Sequence, residues 1–250
     1  MTDRKCLIQL AVAEVEQRGY SLLTGAVDPI SVTKLRQLCS KAIDDNTNTA
    51  VARSSRGHVY AARNLIDAAP ETFSIFRQGV LRDFLNACLG ADAGLVRIPF
   101  FDKPPERSWA LPWHKDQTIA VADNSMASSV FSRPTTKLGV PHVIASDEIL
   151  RRMVTLRIHL DDVTDENGPL RVIPGSHLTS QINEEPEMVV ETIHAKAGDV
   201  LAMRPLITHS SGNSIEGTIR HRRILHLEFS GLRELPDGFR WHRFVAVNPH

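Results

Sequence analysis

The sequence predicts a mainly-β protein with helices at its N-terminal end, and three observations carry that reading. From about residue 91 onward the 250-residue chain breaks into short β-type runs bounded by Gly, Pro, Asn and Asp. Before that point its apolar residues recur at helical spacing. Few helical stretches separate the later runs, which favours an antiparallel sandwich or barrel over a parallel βαβ sheet.

Taken in order, residues 6–18 place Leu7, Leu10, Ala11 and Val15 at helical spacing and stop at Gly19, a residue suited to a left-handed cap. A short strand is expected at 20–23. Asp28-Pro29 reads as an N-cap followed by a first-turn proline, opening a helix through Ile30, Leu35, Leu38, Cys39 and Ala42 to Ile43. Residues 44–57 are polar and irregular. A further helix over 70–89 lines up Phe73, Phe76, Val80, Phe84 and Cys88 before Gly90 ends it. The β-type runs follow at 95–101, 113–121, 153–160, 170–173, 188–194, 200–204, 222–229 and 240–247. One connection, 122–152, is longer than the others. It holds Pro134, Gly139 and Pro141, with a short helix expected after Ser146, and its length suggests a lid over a pocket. One domain over 1–250 accounts for all of this, helical to about 90 and β from about 91.

Composition narrows the function. The 29 basic and 29 acidic residues cancel, so no whole-chain field attracts nucleic acid or an anionic membrane. Cys6, Cys39 and Cys88 are too few and too scattered for a disulfide framework and form no metal knuckle. No apolar run approaches the ~20 residues of a membrane span, and the first residues lead into a helical pattern, so a cytoplasmic protein is expected. Histidine is plentiful, with 11 in the chain.

Two of those histidines matter most. In Trp113-His114-Lys115-Asp116-Gln117, His114 and Asp116 lie two apart on an expected strand and so share a face. A surface polar pair is the ordinary alternative for such a short motif. His209 follows an apolar strand and opens a Ser/Gly/Asn loop, where its imidazole can face the interior. Two histidines and one carboxylate form the facial triad suited to non-haem Fe(II), which leaves coordination positions open. Arg222 shares a strand face with Ile224 and His226, while Arg223 points the other way. A planar guanidinium held there is an anchor for a carboxylate. On 153–160, Leu156, Ile158 and Leu160 form one face and Thr155, Arg157 and His159 the other. Arg157 either faces the interior or pairs with an acidic neighbour such as Asp161.

These motifs, together with the block from Leu160-Asp161-Asp162 through Asn167-Gly168-Pro169 to Pro174-Gly175-Ser176-His177 and the Ala197-Gly198-Asp199 turn, resemble the phytanoyl-CoA dioxygenase family of Fe(II)/2-oxoglutarate oxygenases. The resemblance covers nearly the whole chain. It implies a double-stranded β-helix, a cupin-like jelly roll, flanked by N-terminal helices. It implies His114, Asp116 and His209 as iron ligands, 2-oxoglutarate and O₂ as co-substrates, and stimulation by ascorbate. The family's usual spacing selects Arg220 as the 2-oxoglutarate anchor, whereas strand register selects Arg222, the preferred choice. Arg157 is expected to touch co-substrate or substrate from inside the barrel. His159, Trp109, Lys103 and His142 are weaker candidates at the substrate, as are Arg53, Arg56 and Arg63 for an anionic one. With Asp116 present, the implied reaction is oxidation, most simply hydroxylation, of a small molecule's unactivated C–H, yielding succinate and CO₂. A non-catalytic or 2-oxoglutarate-independent metal-binding jelly roll is the alternative.

Overall fold

The computed structural model describes residues 2–44, 51–53, 59–62, 65–68, 70–105, 108–179 and 189–249. Helices α1 (Thr2–Arg18) and α2 (Pro29–Asp44) flank strand β1 (Tyr20–Leu23). Strands β2 (Val51–Arg53) and β3 (Val59–Ala62) follow, then the single-turn α3 (Leu65–Ala68), a 3-10 segment Pro70–Arg77 and α4 (Gly79–Leu89). The β part runs β4 (Gly94–Arg97), β5 (Phe100–Lys103), β6 (Leu111–His114), β7 (Thr118–Ala120), β8 (Phe131–Lys137) and β9 (Val140–Ala145). After α5 (Asp147–Arg151) come β10 (Met153–His159), β11 (Leu170–Val172), β12 (Glu191–Ile193), β13 (Val200–Met203), β14 (His209–Ser211), β15 (Arg222–Ser230) and β16 (Val245–Ala246).

A large antiparallel sheet has the order β1-β13-β10-β15-β5-β3-β2, with β4 on the far half of β15 and β16 beyond it. A second sheet, β12-β11-β14-β6, faces it, and β7-β9-β8 forms a third. This is the expected jelly-roll core with N-terminal helices.

Strand alternation decides what each face of the large sheet does. Val154, Leu156 and Ile158 of β10 and Leu225, Leu227 and Phe229 of β15 belong to one buried cluster with Val15 of α1, Leu35 of α2 and Phe84 of α4. The helices therefore cover that face. The opposite side chains, Thr155 and Arg157 of β10 and Arg222, His226 and Glu228 of β15, turn into the barrel and line its pocket. Helix α4 buries Leu81, Phe84, Leu85 and Leu89, a single stripe at helical spacing.

Several elements differ from the sequence expectation for identifiable reasons. The helix expected over 70–89 is broken where Gln78 is extended and Gly79 takes φ +64°. The run 95–101 divides into β4 and β5, both paired to β15. The run 113–121 divides where the chain leaves the second sheet for the third, so Asp116 lies between strands and not on one. The connection 122–152 is largely a hairpin. Leu138 and Gly139, both with positive φ, make its two-residue turn, and a register shift between Ser132 and Thr135 accommodates Pro134. Leu7, Leu10 and Ile30, read as core-facing, are exposed, whereas Ala11 and Val15 are buried as expected and Ile8 completes the buried stripe of α1. The C-terminal run 240–247 contributes only β16 and a bridge at Trp241. Among the described residues no helix is long and apolar enough to cross a membrane.

Candidate functional site

The pocket is a cavity of about 270 Å³ between the two facing sheets. On its second-sheet side, β6 and β14 pair so that His114 stands opposite His209. Asp116 follows β6 in a turn held by its own N–H, which donates to the Pro205 carbonyl at 2.9 Å. The side-chain donor atoms of these three residues all lie within 4.8 Å of one another. Asp116 Oδ1 is 3.8 Å from His114 Nε2, and Asp116 Oδ2 is 3.6 Å from His209 Nε2.

Both imidazoles are fixed by their other nitrogen. Nδ1 of His114 lies 2.7 Å from the Pro112 carbonyl and Nδ1 of His209 lies 2.9 Å from that of Ile207. An N–H donated to each carbonyl leaves the Nε2 lone pairs directed at the Asp116 carboxylate, the orientation seen in metal-binding histidines. Burial pushes the His209 pKa down, which favours the neutral imidazole a metal needs. Burial pushes Asp116 up, but His209, His226, His114 and Arg157 outweigh it and hold the carboxyl below its ordinary range. Two imidazole nitrogens and one carboxylate fit a first-row divalent ion such as Fe(II).

The large sheet supplies the cations. Arg222, at the start of β15, is buried and donates from Nη1 to the Gly168 carbonyl at 2.5 Å. Arg157, on the neighbouring strand, is also buried, and its Nη1 lies 3.3 Å from His226 Nδ1. The Nε of each is buried with no hydrogen-bond partner among the described residues, and neither guanidinium is ion-paired there. Burial, aided by Arg157, pushes Arg222 down to about 9; burial pushes Arg157 down to about 10 against the pull of Asp116. Two desolvated guanidiniums with unused donors fit a ligand with two carboxylates, which is the charge of 2-oxoglutarate.

The structure sorts the remaining candidates. Trp109 lines the pocket with His114, Asp116, His209, Arg157 and Arg222. Arg220 does not; it precedes β15 and is bound to Glu166 at 3.0 Å near the surface. Asp161 is engaged by Arg223 and Arg36, which leaves Arg157 to the interior. His159 is buried below the pocket, with Nδ1 3.2 Å from the Asp199 carbonyl, and burial lowers it to about 4. His142 is buried within the third sheet, where its Nδ1 lies 2.9 Å from the Val140 carbonyl. Neither histidine lines the cavity, contrary to expectation. Lys103 does not line the cavity either: its Nζ donates to the carbonyls of Trp109 and Gly212 at 2.8 and 2.9 Å, across the strand pair from Arg222. Of the early arginines, Arg56 and Arg63 lie outside the described residues, and of Arg53 only its place in β2 is described.

Sequence reasoning missed several wall residues, His226, Glu228 and Arg97 among them. His226 and Glu228 share the parity of Arg222 on β15, a signal that was present but unused. Arg97 of β4 is opposite Glu228 in register and binds it at 3.1 Å.

A jelly-roll barrel with an inward cluster of two histidines and one carboxylate, beside buried arginines that have no ion-pair partner among the described residues, is the frame of a non-haem iron oxygenase. The model of the phytanoyl-CoA dioxygenase family matches residues 15–221, and the chain belongs to that family. It is accordingly a 2-oxoglutarate-dependent non-haem iron oxygenase that uses Fe(II), 2-oxoglutarate and O₂. The chain is 24% identical to the L-proline trans-4-hydroxylase of Streptomyces griseoviridis, over 87% of its own length and 84% of that protein. Its fold is shared with EctD from S. alaskensis, crystallised with 2-oxoglutarate and 5-hydroxyectoine, at a TM-score of 0.67 and 17% identity, covering 88% of this chain and 74% of that one. It is also shared with the epimerase SnoN in complex with Fe³⁺, alpha-ketoglutarate and nogalamycin RO, at a TM-score of 0.65 and 16% identity over 97% and 95% of the two chains.

Proposed function

We propose that this enzyme hydroxylates an unactivated C–H of a small molecule, with His114, Asp116 and His209 holding Fe(II) and Arg222 anchoring the distal carboxylate of 2-oxoglutarate. The observation that carries the reading is the coincidence, in one cavity, of a three-donor cluster whose Nε2 atoms face the Asp116 carboxylate and two buried arginines that have no carboxylate partner among the described residues. Bound iron with 2-oxoglutarate and O₂ supplies the oxidising equivalent, releasing succinate and CO₂.

The chain's own residues do the positioning. His114 and His209 present lone pairs because their Nδ1 atoms are held by backbone carbonyls. Asp116 contributes one negative charge and keeps the third protein position filled, which favours hydroxylation over halide capture. Arg222 fixes one end of the co-substrate with the rigid Gly168 turn behind it. Arg157, nearer Asp116, would meet the other carboxylate, and its Nη1 lies 3.3 Å from His226 Nδ1. The small cavity favours a small substrate; L-proline trans-4-hydroxylase, a relative by sequence, is named for one of that size.

Succinate release tests the reading. Purified protein with Fe(II), ascorbate, 2-oxoglutarate and pooled metabolites is expected to release succinate with at least one pool and to convert that substrate to a product heavier by one oxygen. His114→Ala is expected to lose both activities and tight iron binding. Full turnover without 2-oxoglutarate, or retention of iron and activity by His114→Ala, would overturn it.

A further inference from the structure

The pocket wall is graded along β15. From Arg222 to Glu228 is six residues, roughly 20 Å at about 3.3 Å each, and the even-numbered side chains point inward. Register aligns the neighbouring strands into rows. Lys103 stands beside Arg222 at one end, Arg157 beside His226 in the middle, and Thr155 and Arg97 flank Glu228 at the other end. Asp116 interacts electrostatically with Arg157 and His226, so the three-donor cluster faces the middle row. Resting on the placement of 2-oxoglutarate toward Arg222, the Glu228 row is the end left for substrate.

That end holds a buried ion pair. Arg97 Nη1 donates to Glu228 Oε1 at 3.1 Å, and the two side chains are only 11% and 13% exposed. Arg97 Nε is buried with no hydrogen-bond partner among the described residues. A pair of this kind gives little stability over packed apolar residues, so stability alone does not account for charges lining a cavity. Ile119, Leu150 and Met153 line the same cavity and offer an apolar surface beside the pair.

We propose that Arg97 and Glu228 form the substrate-recognition subsite and that it takes a small zwitterion, an α-amino acid whose carboxylate meets Arg97 and whose ammonium meets Glu228. In such a ligand both charges hang from one carbon, so they can face two wall charges 3.1 Å apart together. The resulting four charges alternate in sign, and the ligand adds no net charge to the buried end. A simple carboxylic acid would add an unbalanced anion beside Glu228, and a simple amine an unbalanced cation beside Arg97. Burial pushes the Glu228 carboxyl up despite Arg97, and an incoming ammonium counters that shift. The size of the cavity, shared with the co-substrate, points to an amino acid and not to a long acyl carrier or a peptide.

Calorimetric titration of the protein loaded with Zn(II) and 2-oxoglutarate, a complex that cannot turn over, tests this. The ligands are the free L-α-amino acids, their decarboxylated amines, their deaminated acids and a short acyl-CoA. At least one amino acid is expected to bind, with its amine and its acid each weaker by about 30-fold or more. In Glu228→Gln, checked for folding by thermal unfolding, amino-acid affinity is expected to fall at least about tenfold, and its advantage over the deaminated acid to shrink to within about fivefold. The proposal is overturned if an amine, an acid or the acyl-CoA binds as tightly as any amino acid, or if no amino acid binds while 2-oxoglutarate does. Failure of 2-oxoglutarate itself to bind wild-type protein would instead overturn the assignment of the co-substrate, and this inference with it.

Discussion

Replacing Arg222 with Met is expected to separate ligand binding from folding stability. The guanidinium sits at about 9 against an ordinary 12.5, because burial and then Arg157 disfavour its charge. At about 1.4 kcal/mol per pKa unit, holding that charge in the ligand-free fold costs on the order of 5 kcal/mol. A base whose folded pKa is lowered penalises the fold at every pH below that value, and the penalty is relieved only between about 9 and 12.5. Arg222→Met removes the penalty at neutral pH and loses one hydrogen bond to the Gly168 carbonyl, worth about 1 kcal/mol. The ligand-free variant is therefore expected to be no less stable than wild type. For 2-oxoglutarate the loss of a buried two-point contact of about 2–4 kcal/mol weakens the Kd roughly 30- to 1,000-fold. Thermal unfolding without ligand and anaerobic titration of 2-oxoglutarate measure the two effects. Arg220→Met, which severs only a surface pair with Glu166, is expected to shift the Kd less than about twofold. The reasoning is refuted if Arg220→Met weakens 2-oxoglutarate binding and Arg222→Met does not.

Acid stability reports on His159, whose pKa burial lowers to about 4. A histidine that is harder to protonate when folded contributes stability present above about pH 6.5 and lost as the pH falls through about 4, up to roughly 3 kcal/mol. His159→Gln is expected to lose less stability than wild type over that interval in urea titrations at stepped pH, and parallel curves would exclude His159 as a source. Asn167 is fully buried, accepting from the Thr164 N–H and donating to the carbonyls of Asp162 and His221. Asn167→Ala orphans those groups at about 2–4 kcal/mol in all, a fall of roughly 5–15 °C in Tm by scanning calorimetry. Because the Gly168 carbonyl next to it holds Arg222, 2-oxoglutarate affinity is expected to drop as well; an unchanged Kd would mean that the turn does not position the arginine.

What could be read from the sequence was what depends on residue type and short-range parity. His114, Asp116 and His209 stand out through the ordered family motifs around them, since a short His-x-Asp is weak by itself, and Arg222 was separable from Arg223 because neighbouring strand residues face opposite ways. What could not be read depends on pairing between distant strands. Glu228 looks like an ordinary strand charge until Arg97, 131 residues earlier, is seen opposite it. Lys103 likewise looks like a solvent-facing lysine, and its two acceptor carbonyls come from loops that only the closed barrel brings together. Turn chemistry hid the hairpin over 131–145. Leu138 takes a positive φ that a leucine rarely adopts, and Pro134 argued against a strand that absorbs it by a register shift. His142 and His159 were drawn toward the substrate by their location in sequence, yet each is spent on a backbone carbonyl away from the cavity.

The absence of net charge on the chain conceals a concentrated imbalance within the barrel. Arg157 and Arg222 have no carboxylate partner among the described residues, and each disfavours the positive charge of neighbouring bases. Lys103 is the group that yields: burial, then Arg222, brings it down to about 7. It gives up little by doing so, since a neutral amine still has the two N–H groups its two carbonyl acceptors require. Arginine cannot yield in the same way near neutral pH. The two guanidiniums therefore stay charged and short of donors' partners until a dianion arrives, and a monoanion would leave one of them uncompensated. If 2-oxoglutarate sits as proposed, its two carboxylates match the two buried bases that cannot release a proton, and no long-range field is needed to draw it in.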